Sequence, residues 1–140
     1  MSSVITAESE ASSIRELVER LIQEHRTFPS QVATLDEDLT RYRALTAIGE
    51  HFVKLQDTLT EHMLTEEFEV YPELMKKGFF DEVTSMIMQQ HHDLTASLGK
   101  MELALRIKNL SEFRAALEEL DRVLRVHQPA EEEKVFPRAL

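Results

Sequence analysis

Apolar residues recur at spacings of three and four in four stretches of the chain, and this predicts four amphipathic helices. The first stripe is Ile14, Leu17, Val18, Leu21, Ile22, Phe28, Val32, Leu35 and Leu39. The second is Ile48, Phe52, Leu55 and Leu59. The third is Val83, Ile87, Met88, Leu94, Leu98, Met101 and Leu105, and the fourth is Phe113, Leu117, Leu120 and Leu124. Ser13-Ile-Arg-Glu16 matches a capping box and places the first helix start at Ser13. Residues 1–13 then read as a flexible polar tail and residues 14–140 as one helical domain. Residues 72–78 read as a connection, the third helix starts near residues 79–81, and residues 109–111 form a turn. Four such stripes predict an all-α, up-down-up-down four-helix bundle.

The stripes repeat. With His25 laid over His91, Leu21 falls on Ile87, Phe28 on Leu94, Val32 on Leu98 and Leu35 on Met101. With His62 laid over His127, Ile48 falls on Phe113, Phe52 on Leu117, Leu55 on Leu120 and Leu59 on Leu124. The paired histidines are 37 residues apart in the first half and 36 in the second. The chain therefore reads as a duplicated helical hairpin. The repeat also selects the first turn. Composition alone favours residues 36–38, but Ser111, a good N-cap, aligns with Thr46. Antiparallel helices of matched length then require the turn at residues 43–46, at 1.5 Å per residue.

Each histidine extends its own apolar stripe, and two of them open a longer motif. His62-x-x-x-Glu66-Glu67 ends in Val-Tyr71-Pro72, and His127-x-x-x-Glu131-Glu132 ends in Val-Phe136-Pro137. Residues four apart share a helix face, so each motif presents an imidazole beside a carboxylate. The proline that follows should end each helix. Matched helix lengths bring His25, His62, His91 and His127 to one layer with Glu66 and Glu131. Burying these groups unpartnered would cost several kcal/mol, and a metal of intermediate softness, such as iron, manganese or zinc, would satisfy them. Six ligands are more than one zinc needs and suit two ions, each with two histidines and both glutamates shared. The ferritin-like pattern requires a Glu three residues before a His, and no His here has one.

Composition narrows the chemistry. The chain has 140 residues, 3 glycines and no cysteine, so thiolate ligation and disulfides are excluded. A net charge of −10 argues against nucleic acid or an anionic membrane as partner. No apolar stretch is long enough to span a bilayer, and the polar, acidic start does not read as a signal peptide. The expectation is a cytoplasmic protein; the sequence names no protein partner.

The lone His, His-x-x-x-Glu, lone His, His-x-x-x-Glu order and the Glu-Glu…(Tyr/Phe)-Pro tails resemble the hemerythrin-like, or HHE cation-binding, domains. The resemblance covers residues 14–137. It implies a non-haem centre of two iron ions bridged by carboxylates and an oxo or hydroxo group. The oxygen carriers of that family have a second His four residues after the third-helix His; here that position is Thr95. They also use an Asp five residues after the last His, where this chain has Glu132. The four-His, two-Glu set is more similar to the domains of iron-centre repair proteins in nitrosative stress and of iron-sensing relatives. These 140 residues hold no counterpart of the cysteine-bearing domain of the repair proteins.

The expected function is therefore binding or reduction of a small ligand, O₂, NO or peroxide, within an oxygen, nitrosative or oxidative stress response. The alternatives are iron donation or sensing without turnover, and a zinc- or manganese-loaded interaction module. Other residues receive smaller roles. His51 reads as a boundary residue near the turn, and His92 as a surface residue or one just behind the ligands. Glu67 and Glu132 sit one position off the ligand face and read as solvated or as acceptors for imidazole N–H groups. Tyr71 lies more than a turn beyond Glu66 and is given no redox role. Met63, Met88 and Met101 read as packing. Pro29 and Pro129 should kink their helices or force a bulge, either as a tolerated kink or as a widening of the bundle that admits a small molecule to the metals.

Overall fold

The computed structural model describes residues 7–140, with side chains described from Ser13 onward. The described residues are helical, joined by short turns, and include no strand. Helix α1 (Ala7–His25) is followed after one residue by α2 (Thr27–Thr40). Next come α3 (Leu45–Thr65), a first π turn (Glu66–Val70) and α4 (Tyr71–Lys76). The second half has α5 (Glu82–Arg106), α6 (Leu110–Ala130), a second π turn (Glu131–Val135) and α7 (Phe136–Ala139). Helix α2 packs against α3 and α6, and α5 packs against the same two. Four long helical segments thus enclose one core. No helix among the described residues is long and apolar enough to cross a membrane.

Most residues of the predicted stripes form the core. Phe28, Leu35, Leu55, Leu59, Leu94, Phe113 and Leu120 are buried in its larger part, where Phe52 meets Phe113 edge-on at 5.9 Å. Truncating one of these leucines to alanine would cost roughly 2–5 kcal/mol. Met88 is 37% exposed rather than packed, and Ile14, Leu17, Ile22, Val83 and Leu105 are only partly buried. A second, smaller cluster contains Val18, Leu21, Val70, Tyr71, Ile87, Val135 and Phe136. Along every long helix the histidine lies between a residue of one cluster and a residue of the other. In α1 and α2 the order is Leu21, His25, Phe28; in α5 it is Ile87, His91, Leu94. The polar layer is therefore sealed by apolar side chains above and below.

Several helix limits differ from those the sequence predicts. Helix α1 starts at Ala7, so Ser13 lies inside a helix rather than capping it. The part of the expected tail before Ala7 lies outside the described residues. The first turn occupies residues 41–44, two residues before its expected place, and the caps are Ala44 and Asn109 rather than Thr46 and Ser111. What closes these turns is the end of the preceding helix. Tyr42 and Lys108 adopt left-handed backbone conformations, with φ of 53° and 60°. The N–H groups of Arg43 and Asn109 then donate to Asp38 O and Ala104 O, five residues back. That is the bonding of a Schellman motif, made here without glycine. Asp81 caps α5 with a full capping box to Thr84, as its expected start requires.

Pro29 accounts for the break between α1 and α2. It has no N–H to give the carbonyl of His25, four residues back. That carbonyl instead accepts a 3.0 Å hydrogen bond from the Gln128 side chain of α6.

Candidate metal centre

Pro72 and Pro137 do not end their helices. In an α-helix each ring would clash with the carbonyl four residues back. The preceding segment widens to a π turn, and the helix resumes as α4 or α7. Tyr71 N–H donates to Glu66 O and Phe136 N–H to Glu131 O, each an i to i+5 bond. Pro129 is not the cause of its π turn, because the first half makes the same turn with Leu64 in that place. The prolines common to both halves are Pro72 and Pro137. Each π turn begins on the glutamate of its motif, so the bulge sets that carboxylate's direction.

The structure brings all six candidate residues together. Two groups could each hold a metal ion: His25, His62, Glu66 and Glu131, and then Glu66, His91, His127 and Glu131. Within each group the four donor atoms lie within 4.8 Å of one another. Both carboxylates belong to both groups. The imidazoles pair by half of the chain: His25 and His62 have ring centres 4.8 Å apart, and His91 and His127 4.9 Å. His25 Nε2 lies 2.9 Å from Glu131 Oε1, and His91 Nε2 lies 2.9 Å from Glu66 Oε1. Glu66 and Glu131 are fully buried.

The Nδ1 atoms face outward, and each has an acceptor. His62 and His127 donate at 2.8 Å to Glu24 Oε1 and Gln90 Oε1. His25 donates at 2.8 Å to Glu132 Oε2, and His91 at 3.2 Å to Glu67 Oε2. With Nδ1 carrying the proton, the Nε2 lone pair of each ring is free to point inward. Glu67 and Glu132 are thus acceptors, not merely solvated side chains. The pattern follows the sequence repeat. Glu24 and Gln90 each precede the lone His of their half, and Glu67 and Glu132 each follow the motif glutamate.

Burial alone would lower the pKa of His25, His62 and His91. The carboxylates beside them, Glu131 and Glu132 at His25, Glu66 and Glu24 at His62, and Glu131 and Glu66 at His91, outweigh it. All three are raised, His91 to about 10. Burial, with the charge of Glu131 beside it, raises Glu66. Burial acts on Glu131 too, but His127 and His25 hold it well below the usual range. Burial, then the charges of Glu66 and Glu131, push the Tyr71 phenol far up, so it keeps its proton.

His62 Nε2, His127 Nε2, both Glu66 oxygens and Glu131 Oε2 are buried without an aligned hydrogen-bond partner. Native interiors rarely leave such atoms unpaired. Five in one layer, all imidazole nitrogens or carboxylate oxygens, fit metal cations as the missing partner. The set suits a borderline-soft ion with nitrogen and oxygen ligands.

The family model described as the hemerythrin HHE cation binding domain matches residues 16–139. The chain belongs to this family. No curated protein and no solved structure shows a significant likeness to it. Cation binding is the family's defining property, and in this hemerythrin-like chain the buried histidines and glutamates are where a cation fits.

Sequence reasoning placed His51 and His92 correctly away from the hemerythrin-like centre. His51 is exposed and bonds the buried Asp38 near the first turn, and His92 is exposed. It missed Glu24, Gln90 and the approach of Tyr71, whose hydroxyl lies 3.2 Å from His91 Nε2. A signal for the first two was present, since the repeat aligns one acceptor residue on the other beside each lone His.

Proposed function

We propose that this chain is a non-haem di-iron protein that binds or reduces a small ligand, O₂, NO or peroxide, in a stress response. One observation carries the reading: two donor groups that share Glu66 and Glu131, each with two histidines, in a buried layer. His25 and His62 would hold one iron and His91 and His127 the other. Each set offers four protein donors, which leaves positions for a bridging group and for an exogenous ligand. Bound iron would supply one-electron redox chemistry. The chain's part is to fix the imidazoles through their outer acceptors, to exclude bulk water with the apolar clusters, and to limit the ligand to a few atoms. On this reading the bundle is up-down-up-down, arose by duplication of a hairpin, and works in the cytoplasm.

Access from solvent supports the reading. A recess of about 440 Å³ is lined by Pro29, Pro129, Arg125, Glu132 and His25. Another, of about 310 Å³, is lined by Thr60, Met63, Leu64, Met88 and His91. Each reaches one histidine of the layer from outside. The test is to load the protein anaerobically with Fe(II), count iron, and titrate with O₂ and NO while following absorbance. Two irons per chain and a spectral response to either gas are expected. At most one iron in a well-loaded sample would sink the dinuclear reading. Release of iron to a chelator without any gas response would favour iron handling.

A further inference from the structure

The two ends of the centre differ in one buried atom. In the π-turn motifs Tyr71 and Phe136 occupy matching positions, and both belong to the smaller apolar cluster. Phe136 is 1% exposed and stacks on His25 with ring centres 5.7 Å apart. It carries no polar atom. Tyr71 is 7% exposed, and its ring lies 5.6 Å from that of His91. The π turn causes this approach, because the i to i+5 bond brings residue 71 back over Glu66, where an α-helix would carry it off that face.

The hydroxyl is 3.2 Å from His91 Nε2, the nitrogen that faces the centre. That nitrogen has one lone pair in the neutral ring, and a metal on His91 would use it. The hydroxyl would then lose its partner. Val18, Leu21, Val70, Leu74 and Ile87, which share its cluster, offer no side-chain acceptor. A buried O–H without an acceptor is unfavourable, so it needs one supplied from the centre itself.

We propose that Tyr71 donates a hydrogen bond to the exogenous ligand, and so makes the His91/His127 position the one where that ligand is held. This rests on the di-iron reading above. Tyr71 is on this view a residue of the ligand site, while Phe136 only packs. The end with the hydroxyl is also the end that the more apolar recess reaches, through Met63, Leu64 and Met88.

Azide is a suitable probe, being small, anionic and visible in the infrared. Wild type and Tyr71→Phe would be loaded with iron, oxidised, assayed for iron and titrated with azide by absorbance. The azide stretching band would be recorded in H₂O and D₂O. Both proteins should hold two irons. The azide dissociation constant should rise about tenfold in Tyr71→Phe, the order expected of one hydrogen bond to a charged partner. The band should shift in D₂O for wild type and not for Tyr71→Phe. Equal affinity and equal bands would overturn the proposal. So would a tyrosinate-to-iron(III) absorption in azide-free wild type, or loss of iron from Tyr71→Phe, since either makes Tyr71 a ligand rather than a donor. Should the variant not fold, absence of the D₂O shift in wild type alone overturns it. Wild type that takes up no iron would instead overturn the di-iron reading, and the donor role with it.

Discussion

The two halves of the centre are alike where they would touch a metal and different one atom further out. Each half supplies two inward Nε2 nitrogens and one carboxylate that serves both positions. Each sets its glutamate on a π turn before a proline, and closes its hairpin with a left-handed residue. Beyond that the halves part. His62 leans on the carboxylate Glu24, and His127 on the amide of Gln90. One end has a phenyl ring, Phe136, and the other a phenol, Tyr71. One recess is lined by Arg26, Arg125 and Glu133, and the matching one by His92, Thr60 and Met63. The donor set is constrained by what a metal accepts. The groups that would tune it are not, and they are where two similar positions would acquire different affinities and ligands.

The comparison breaks most sharply at the shared carboxylates. If Glu66 and Glu131 serve both positions, Glu66→Gln and Glu131→Gln should each empty both, taking a loaded protein from two irons to nearly none after desalting. His25→Ala and His91→Ala should each cost mainly the position to which that His belongs. Iron content against protein concentration measures all four. If Glu66→Gln keeps one full iron, the positions are separate sites that happen to adjoin.

Metal removal breaks it in another way, because the two carboxylates then stop being equivalent. Glu66 is raised while Glu131 is held low by the histidines around it. The raised His25, His62 and His91 stabilise the metal-free fold fully below their ordinary pKa of 6.5. That contribution is lost as pH rises through the folded values, about 10 for His91. Glu66 acts in the same sense, losing its contribution as pH rises above 4.5, and Glu131 in the opposite sense, losing its own as pH falls below 4.5. The metal-free protein should therefore melt lower at pH 9 than at pH 7, and lower as pH falls below 4.5 than just above it. Loaded protein should melt higher by about 10 °C or more at pH 7, since each hundredfold excess of metal over its dissociation constant adds about 2.7 kcal/mol per site. It should also be flatter from pH 7 to 9, where metal replaces the protons. Calorimetric melts across pH check this. A metal-free protein whose melting is flat from pH 7 to 9 would show that the histidines are not charged partners of the carboxylates.

How much of this could be read from the sequence depended on which physical rule governed each residue. The six candidate ligands were legible because helix phase and the repeat both pointed to one layer. Tyr71 was not, since ordinary helix phase carries it off the face and only the π turn returns it. Its sign was the proline six residues after each motif glutamate, which reads equally as a helix end. The turns were misplaced by two residues because their closure rests on Tyr42 and Lys108, neither a residue type that advertises a left-handed conformation. Pro29 was legible as a break, but not the remedy, because Gln128 lies on a helix distant in sequence.

The finest difference between the halves is the acceptor behind the second histidine of each. An anionic acceptor makes an imidazole a more basic ligand than a neutral amide does, and removing such a partner typically costs 10- to 100-fold in metal affinity. Glu24 should therefore give the His25/His62 position the tighter binding. Its effect belongs at the low end of that range. Its side chain is 39% exposed, so solvent screens it, and Arg20 lies 3.6 Å away and shares its charge. Glu24→Gln should weaken the first position by about tenfold or less, and Gln90→Glu should strengthen the second. The double variant Glu24→Gln/Gln90→Glu would then reverse the order of filling. A stepwise anaerobic Co(II) titration followed by visible absorbance reads that order, with His25→Ala and His91→Ala samples assigning each spectrum to its position. If wild type and the double variant fill in the same order, the outer acceptors orient the imidazoles without tuning them, and the inequality of the two positions must come from Tyr71 and the recesses instead.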